Sequence, residues 1–237
     1  DVYKRQVEAE MPLGRYLAST EKRVRDRAIR SLAAFVLMRA QEGGLSMSPA
    51  ELSKLWKGLF YCFWMSDKPL VQQQLAQELS ELVLMVAGID TRSEEAQVAS
   101  LRHALAALDF YQGFWHTMQA EWLGVDKFRI DKYYLLMRRF LQAGCQLLLV
   151  YRCDALLVDR YVHIMRGTDG PLSSNNVHVP DSITYHVCDA FLAELEAAVA
   201  AHAEASPAVP TMELLAPFMD LAATSTSKQV HERVMSR

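Results

Sequence analysis

The side chains in this sequence best placed to do chemistry are cations. In the run Glu21-Lys22-Arg23-Val24-Arg25-Asp26-Arg27-Ala28-Ile29-Arg30, helical spacing puts Arg23, Arg27 and Arg30 on one outward ridge, with Lys22 and Arg30 each four residues from Asp26 and able to pair with it. Arg25 falls on the row of Ile29, Leu32 and Val36, near the buried side. Lys54, Lys57 and Tyr61 share the outer face of a later helix with Gly58 and Met65, and Lys68 stands in the turn that follows. Lys132 and Arg139 lie on one row of a further helix, expected to project outward, with Arg138 beside them. Guanidinium groups form two-pronged bonds to phosphate or carboxylate, so the arginine ridge suits RNA phosphates or an acidic protein surface. The plainer reading is a solvated face with intrahelical pairs. Gly58 in mid-helix calls for a close backbone approach, since glycine there costs up to about 1 kcal/mol against alanine.

The acids and nucleophiles form no comparable set. Glu121, Asp126 and Asp131 resemble a carboxylate cluster for a metal, but Asp126 reads better as a helix N-cap and Asp131 as an ion pair with Lys127. His103 and His116 are isolated on a helix, and His163, His178, His186 and His202 are dispersed; no His-Glu-x-x-His, glycine-rich phosphate loop or Gly-x-Ser-x-Gly elbow occurs. Cys62, Cys145, Cys153 and Cys188 form no Cys-x-x-Cys pair, which suits buried free thiols in a reducing compartment.

The elements that must position these residues are helical throughout. The apolar periods predict helices over about 8–18, 20–41, 49–64, 68–87, 91–122, 126–150, 151–166, 181–202, 211–223 and 227–235. Thr20 is the expected N-cap of the second, whose apolar row is Val24, Ala28, Leu32, Phe35 and Val36, and Gly43-Gly44 ends it. Ser48-Pro49-Ala50-Glu51 and Thr91-Arg92-Ser93-Glu94 read as capping boxes. Ser66 or Asp67 is the expected N-cap before Pro69. Pro217 falls inside its helical pattern, as a kink or a delayed start. Short connections make neighbours antiparallel, and broad apolar faces favour stacking on both the preceding and the following helix. The expected fold is all-α: an irregular helical-hairpin array, an α-solenoid of the HEAT/ARM kind with about nine or ten helices. It would form one elongated domain over residues 7–237, with a sub-boundary at the 167–180 loop and residues 1–6 unassigned.

Of the 237 residues, 51% are apolar, yet no run approaches the roughly 18 uninterrupted apolar residues of a membrane span. No signal peptide is visible, and the first residue is Asp1, so the sequence reads as a fragment or a processed chain. The net charge of −3 is unevenly placed: 22 Lys and Arg against 19 acids through Arg166, then no Lys or Arg against 8 acids from Gly167 to Ser227. A mildly basic front and an acidic back suggest different partners for two surfaces, and argue against a protein that coats nucleic acid. The acidic back suits a basic protein partner.

The string WKGLFYCFWMSDKP, from Trp56 to Pro69, resembles the signature of the eukaryotic nucleolar ribosomal RNA processing protein 1 family. The run from Glu21 to Ile29 resembles the family's EKR-x-RDRA-like early helix, and Phe114 to Tyr134 its FW-x-x-M-x-x-EW-x-G-[IV]-D-[RK]-x-R-x-DK-[FY]-Y segment; VCDAFLAEL from Val187 to Leu195 is a weaker match. Trp56, Phe60, Trp64, Asp67, Pro69, Trp115, Trp122, Asp126 and Asp131 are the structural signature. The resemblance implies the conserved helical domain of a nuclear, nucleolar assembly factor without known catalysis. Such a factor joins precursors of the large ribosomal subunit (pre-60S), supports processing of their RNA, and docks onto other assembly factors and pre-ribosomal RNA. It implies no cofactor, small-molecule substrate or membrane. Family members usually continue into a lysine-rich tail, absent from this sequence, so direct RNA binding by this stretch is not implied with the same force. The alternatives are a HEAT-like adaptor for trafficking or transcription and, from a different class, a helical-bundle metalloenzyme using Glu121, Asp126 and Asp131.

Overall fold

The computed structural model describes residues 13–17, 19–41, 47–89, 100–173, 179–202, 208–225 and 227–235. Residues 1–6, the start of the first expected helix, Gly43-Gly44, the Thr91–Glu94 capping box, Val98 and His178 lie outside the described residues. Among those described there are ten α-helices and no strand: α1 (Leu13–Leu17), α2 (Lys22–Gln41), α3 (Pro49–Trp64), α4 (Pro69–Val86), α5 (Leu101–Glu121), α6 (Ile130–Val150), α7 (Ala155–Arg166), α8 (Asp181–Ala201), α9 (Thr211–Thr224) and α10 (Lys228–Met235), with one 3-10 turn, Trp122–Gly124.

Alternate helices stack. The odd-numbered helices pack in the order α1, α3, α5, α7, α9 and the even-numbered ones in the order α2, α4, α6, α8, α10, so successive hairpins lie side by side in two layers. This is the helical-hairpin array that broad apolar faces demand, because each helix packs on a neighbour in its own layer and most also pack on one in the other layer. One connected apolar core runs from Leu17 to Val230.

Local signals set several helix ends. The Ser48 hydroxyl accepts from the Glu51 amide at 3.3 Å while the Glu51 carboxylate accepts from the Ser48 amide at 2.8 Å, and Pro49 occupies the first helical position. Pro69 likewise opens α4, but its N-cap is Lys68, with no side-chain cap. Neither Ser66 nor Asp67 takes that role: the Ser66 hydroxyl donates backwards to the Phe63 carbonyl at 2.6 Å, closing α3 instead of opening α4. The expected helix over 151–166 begins later, at Ala155. Arg152 (φ 54°) and Cys153 (φ 53°) adopt the left-handed conformation, which ends α6, and the Asp154 carboxylate caps α7 by accepting from the Leu156 amide at 3.0 Å. Asp126 is also displaced from its expected place. It precedes α6 by one turn, where its carboxylate accepts from the Phe128 amide at 2.9 Å. Pro217 is buried within α9, which runs unbroken.

The aromatic residues of α3 meet those of α5 and α6 in the centre. Phe114 and Phe140 stack with centroids 3.7 Å apart, Trp56 lies 4.6 Å from Phe110, and Phe60 stacks on Tyr133 at 4.7 Å. The polar tips are satisfied by carbonyls of facing helices: Trp56 Nε1 donates to Phe110 O at 2.9 Å and Tyr133 Oη to Phe60 O at 3.0 Å. Not every apolar residue of the sequence pattern turns inward. Phe35 is 46% exposed: among the described helices α2 packs mainly on α1 and α4, and Leu32 and Val36 face that seam.

The crossing between α3 and α5 depends on Gly113. A Cβ there would stand 2.5 Å from Trp56 Cδ1, against a ring already fixed by its hydrogen bond. Gly113→Ala is therefore expected to destabilise the fold by about 1–3 kcal/mol through overpacking, despite alanine's better helix propensity. Chemical denaturation of the two proteins checks it; an equal or higher midpoint for the variant would show that the crossing has slack.

Candidate interaction surfaces

The first turn of α2 divides its cations by direction. Arg23, Arg27 and Arg30 are exposed, and their side chains make no ion pair or hydrogen bond with any described residue. Lys22 pairs with Asp26 at 2.5 Å, whereas Arg30 does not. Arg25 turns inward, 8% exposed, and donates to the carbonyls of Ser19 (2.8 Å), Thr20 (3.0 Å) and Met65 (3.2 Å). The ridge thus stands on an arginine that anchors it: one guanidinium locks the start of α2 to the end of α3, and three others face solvent.

The expected outer face of α3 is only partly free. Lys54 is exposed, and so is Lys68 in the following turn. Lys57 Nζ, however, lies 2.9 Å from Glu121 Oε1, and Tyr61 Oη donates to Glu121 Oε2 at 3.0 Å. The Glu121 carboxylate raises the pKa of both Lys57 and Tyr61 through these hydrogen bonds. Glu121 is therefore a clasp between α3 and α5. Lys57 and Glu121 border a groove of about 590 Å³ that is also lined by Gly113 and Arg160, the last donating to Asp109 at 2.8 Å and Gln112 at 2.7 Å.

Lys132 overturns the expectation that it projects outward. It is 6% exposed, and its Nζ donates to Trp64 O and Ser66 O, each at 2.7 Å. Its row on α6 meets the end of α3, where two carbonyls have no helical partner, and an ammonium is the side chain that can reach and satisfy both. Burial, and then the nearby Arg129 guanidinium, lower its pKa to about 8. Arg129 lies over the Trp64 ring at 4.5 Å and pairs with Asp126. Asp131 is exposed and forms no ion pair with Lys127, whose ammonium instead lies 5.1 Å from the Phe128 ring. Arg138 is tied to the buried Glu194 at 2.6 Å, and Arg139 to Gln142 at 3.2 Å. Of the signature residues, Trp56, Phe60, Trp115 and Trp122 are buried, Trp64 is half-buried and Asp67 is exposed; Trp122 Nε1 donates to Ser182 Oγ at 2.8 Å.

No group of three or more His, Cys, Asp or Glu side chains is placed to hold a metal among the described residues. Glu121 is taken up by Lys57 and Tyr61, Asp126 by Arg129 and a backbone amide. Burial pushes the Cys62, Cys145 and Cys188 thiols up to about 12, and that of Cys153 up as well, so all four stay protonated near neutrality. His186 stacks on Tyr134 at 4.2 Å with its Nε2 2.9 Å from Tyr134 O, and burial lowers its pKa. No described helix is long and apolar enough to cross a membrane. Sequence reasoning missed Glu121 as a clasp, Arg129 as the partner of Trp64 and Gly113 as the crossing point. An acid at the end of a helix and a glycine amid large rings carry no local signal for partners as far off in sequence as Lys57, Tyr61 and Trp56.

These observations define a helical-repeat protein whose distinctive features are exposed charged faces held by buried clasps. The chain belongs to the family described as nucleolar protein Nop52, whose model matches residues 8–237. It is 36% identical over 216 residues to the mouse protein named Ribosomal RNA processing protein 1 homolog B, covering 91% of this chain and 27% of that protein. To the human Ribosomal RNA processing protein 1 homolog A it is 32% identical over 225 residues, 95% of this chain and 44% of that protein. The Drosophila melanogaster Ribosomal RNA processing protein 1 homolog matches at 29% over 234 residues, 98% of this chain and 30% of that protein. The chain spans less than half the length of these relatives.

The Lys132 clasp has a measurable pH signature. Between about pH 8 and pH 10.5 the unfolded chain binds more protons at this lysine than the folded one, so this group adds stability as pH rises across that window. Lys132→Met is expected to cost about 1–3 kcal/mol at pH 7 by stranding the Trp64 carbonyl, since Gln72 Nε2 still donates to the Ser66 carbonyl at 3.0 Å. The deficit relative to wild type should widen between pH 8 and 10 in paired denaturation curves. A constant deficit across that range would mean that the lysine titrates normally.

Proposed function

We propose that this chain is a non-enzymatic assembly factor of the large-subunit precursor, the pre-60S particle. It acts in the nucleolus and supports ribosomal RNA processing by holding protein and RNA contacts in place. Membership of a nucleolar family, with relatives named for ribosomal RNA processing, supports the setting. The observation that carries the mode of action is the ridge of Arg23, Arg27 and Arg30. Three guanidinium groups stand free of any described acid on a helix anchored beneath by Arg25. Fixed, unpaired guanidinium groups bind phosphate oxygens in two-pronged fashion without first breaking an internal pair. With a net charge of −3 the chain does not coat RNA; its phosphate contacts are few and local. Lys68 adds a cation on the edge where the α3–α4 turn meets the first turn of α2, while Lys54 and Lys57 face outward from the other layer. The acidic α8–α9 region offers a separate face to protein partners.

Arg23→Glu combined with Arg27→Glu is expected to release the protein from particles that sediment as large-subunit precursors, with helicity and melting temperature unchanged because neither side chain has a folded-state partner. Gradient sedimentation of tagged wild type and variant checks this. A wild-type profile for the double variant would remove the ridge from the contact set, and cytoplasmic accumulation of the tagged wild type would remove the nucleolar role itself.

A further inference from the structure

At the far end of the array, α8, α9 and α10 enclose a groove of about 220 Å³ whose walls are apolar apart from the Cys188 thiol. Phe191 and Phe218 form its base, with centroids 4.9 Å apart. Met212, Leu215, Met219 and Ala222 recur at three- and four-residue steps along α9, so the groove opens onto an apolar stripe. The methionines on it are unusually open: Met212 is 67% exposed, Met219 47% and Met235 70%. The volume is below the roughly 300–1,000 Å³ typical of small-molecule sites, and suits anchor side chains from a larger partner.

The surroundings are acidic. No Lys or Arg occurs from Gly167 to Ser227, against 8 acids. Glu196, one turn after the groove-lining Leu192, is exposed on α8 and forms no ion pair with any described residue. The cations nearby are largely engaged, Arg166 with Asp220 at 3.2 Å and Arg233 with Asp189.

We propose that this groove docks the apolar face of a lysine- or arginine-rich amphipathic helix from a protein partner. The proposal rests on the reading of the array as a protein-binding scaffold. Unbranched, polarisable methionine side chains adapt to the irregular apolar face of a helix, and a helix laid in a groove is read through anchors at three- and four-residue steps. The acidic surroundings attract the basic face of such a helix. A nucleic acid strand would meet like charge here and has no apolar face to bury, and an acidic helix would be repelled.

The test uses the purified chain and three fluorescent peptides of about 18 residues, long enough for five helical turns. One is a leucine–lysine amphipathic helix, one has the same composition with its leucines scattered, and one replaces lysine by glutamate. Fluorescence anisotropy at physiological salt should show saturable binding of the first alone. Met212→Glu combined with Met219→Glu should weaken it at least tenfold with the circular dichroism spectrum and melting temperature unchanged. Glu196→Lys should weaken it and flatten its dependence on salt. Equal binding of the scattered peptide, or no effect of the methionine pair, overturns the proposal. So does self-association of the chain that the methionine pair abolishes, since the groove then belongs to a second copy. If the peptide is ignored while the chain still sediments with large-subunit precursors, the groove alone fails; a chain that never joins those particles undermines the scaffold reading beneath it.

Discussion

Three successive carbonyls at the end of α3, those of Trp64, Met65 and Ser66, are held by two cations that arrive from other helices. Arg25 of α2 bonds the middle one and Lys132 of α6 the outer two. A helix end leaves its last carbonyls without intrahelical partners, and here side chains from other helices supply them, Gln72 of α4 also donating to the Ser66 carbonyl at 3.0 Å. Positive charge at a helix C-terminus is favourable in its own right. The outcome is a knot through which α2, α3 and α6 are tied at one edge of the array, and Arg129 over the Trp64 ring adds a further strand to it. The arrangement of both layers follows, since α2 and α6 flank α4 in the even layer while α3 belongs to the odd one.

The clasps and the exposed faces are two uses of the same residue types. Arg25 and Arg23 are two positions apart on one helix, yet one is committed to backbone carbonyls and the other to solvent, because a step of two turns a helical side chain to the opposite flank. Lys57 is likewise bound to Glu121 while Lys54 is not. An array built this way can present guanidinium groups at fixed positions at little cost in order, since the helix that carries them is already immobilised from beneath. The acidic far end follows a different logic: there apolar side chains remain open and charge surrounds them. The two ends thus differ in surface chemistry.

Two helix starts were legible to within a residue or two because a local device marked them, whereas the helix expected from Thr91 starts at Leu101 after an extended Ser100. The Ser48–Glu51 box and Pro49 set the start of α3, and Pro69 that of α4. The boundary at 151–154 was missed because it rests on left-handed backbone at Arg152 and Cys153, residue types that do not advertise that conformation as glycine would. Asp67 and Asp126 misled for the reverse reason. Both are good cap residues, but in the turns where they occur the chain placed the helix start one or more residues further on. The ridge of Arg23, Arg27 and Arg30 was readable because its exposure depends only on helical phase. Lys132 was not, because phase places it at the margin of the buried face and says nothing of what waits there.

By itself, then, the amino-acid order determined what is local: helical periods, capping boxes, the aromatic face of α3, the charge imbalance between front and back, and the strings that tie the chain to its family. These depend on residues three or four apart, so the information lies within reach of a single turn. Only the tertiary structure decided which cations are spent and which are free. Lys132 finds its carbonyls 66 and 68 residues away and Arg25 its furthest at 40, distances over which no pattern in the sequence specifies a partner. That choice is made by the stacking of hairpins, which brings the end of one helix against the side of another and so determines which charges the backbone takes up.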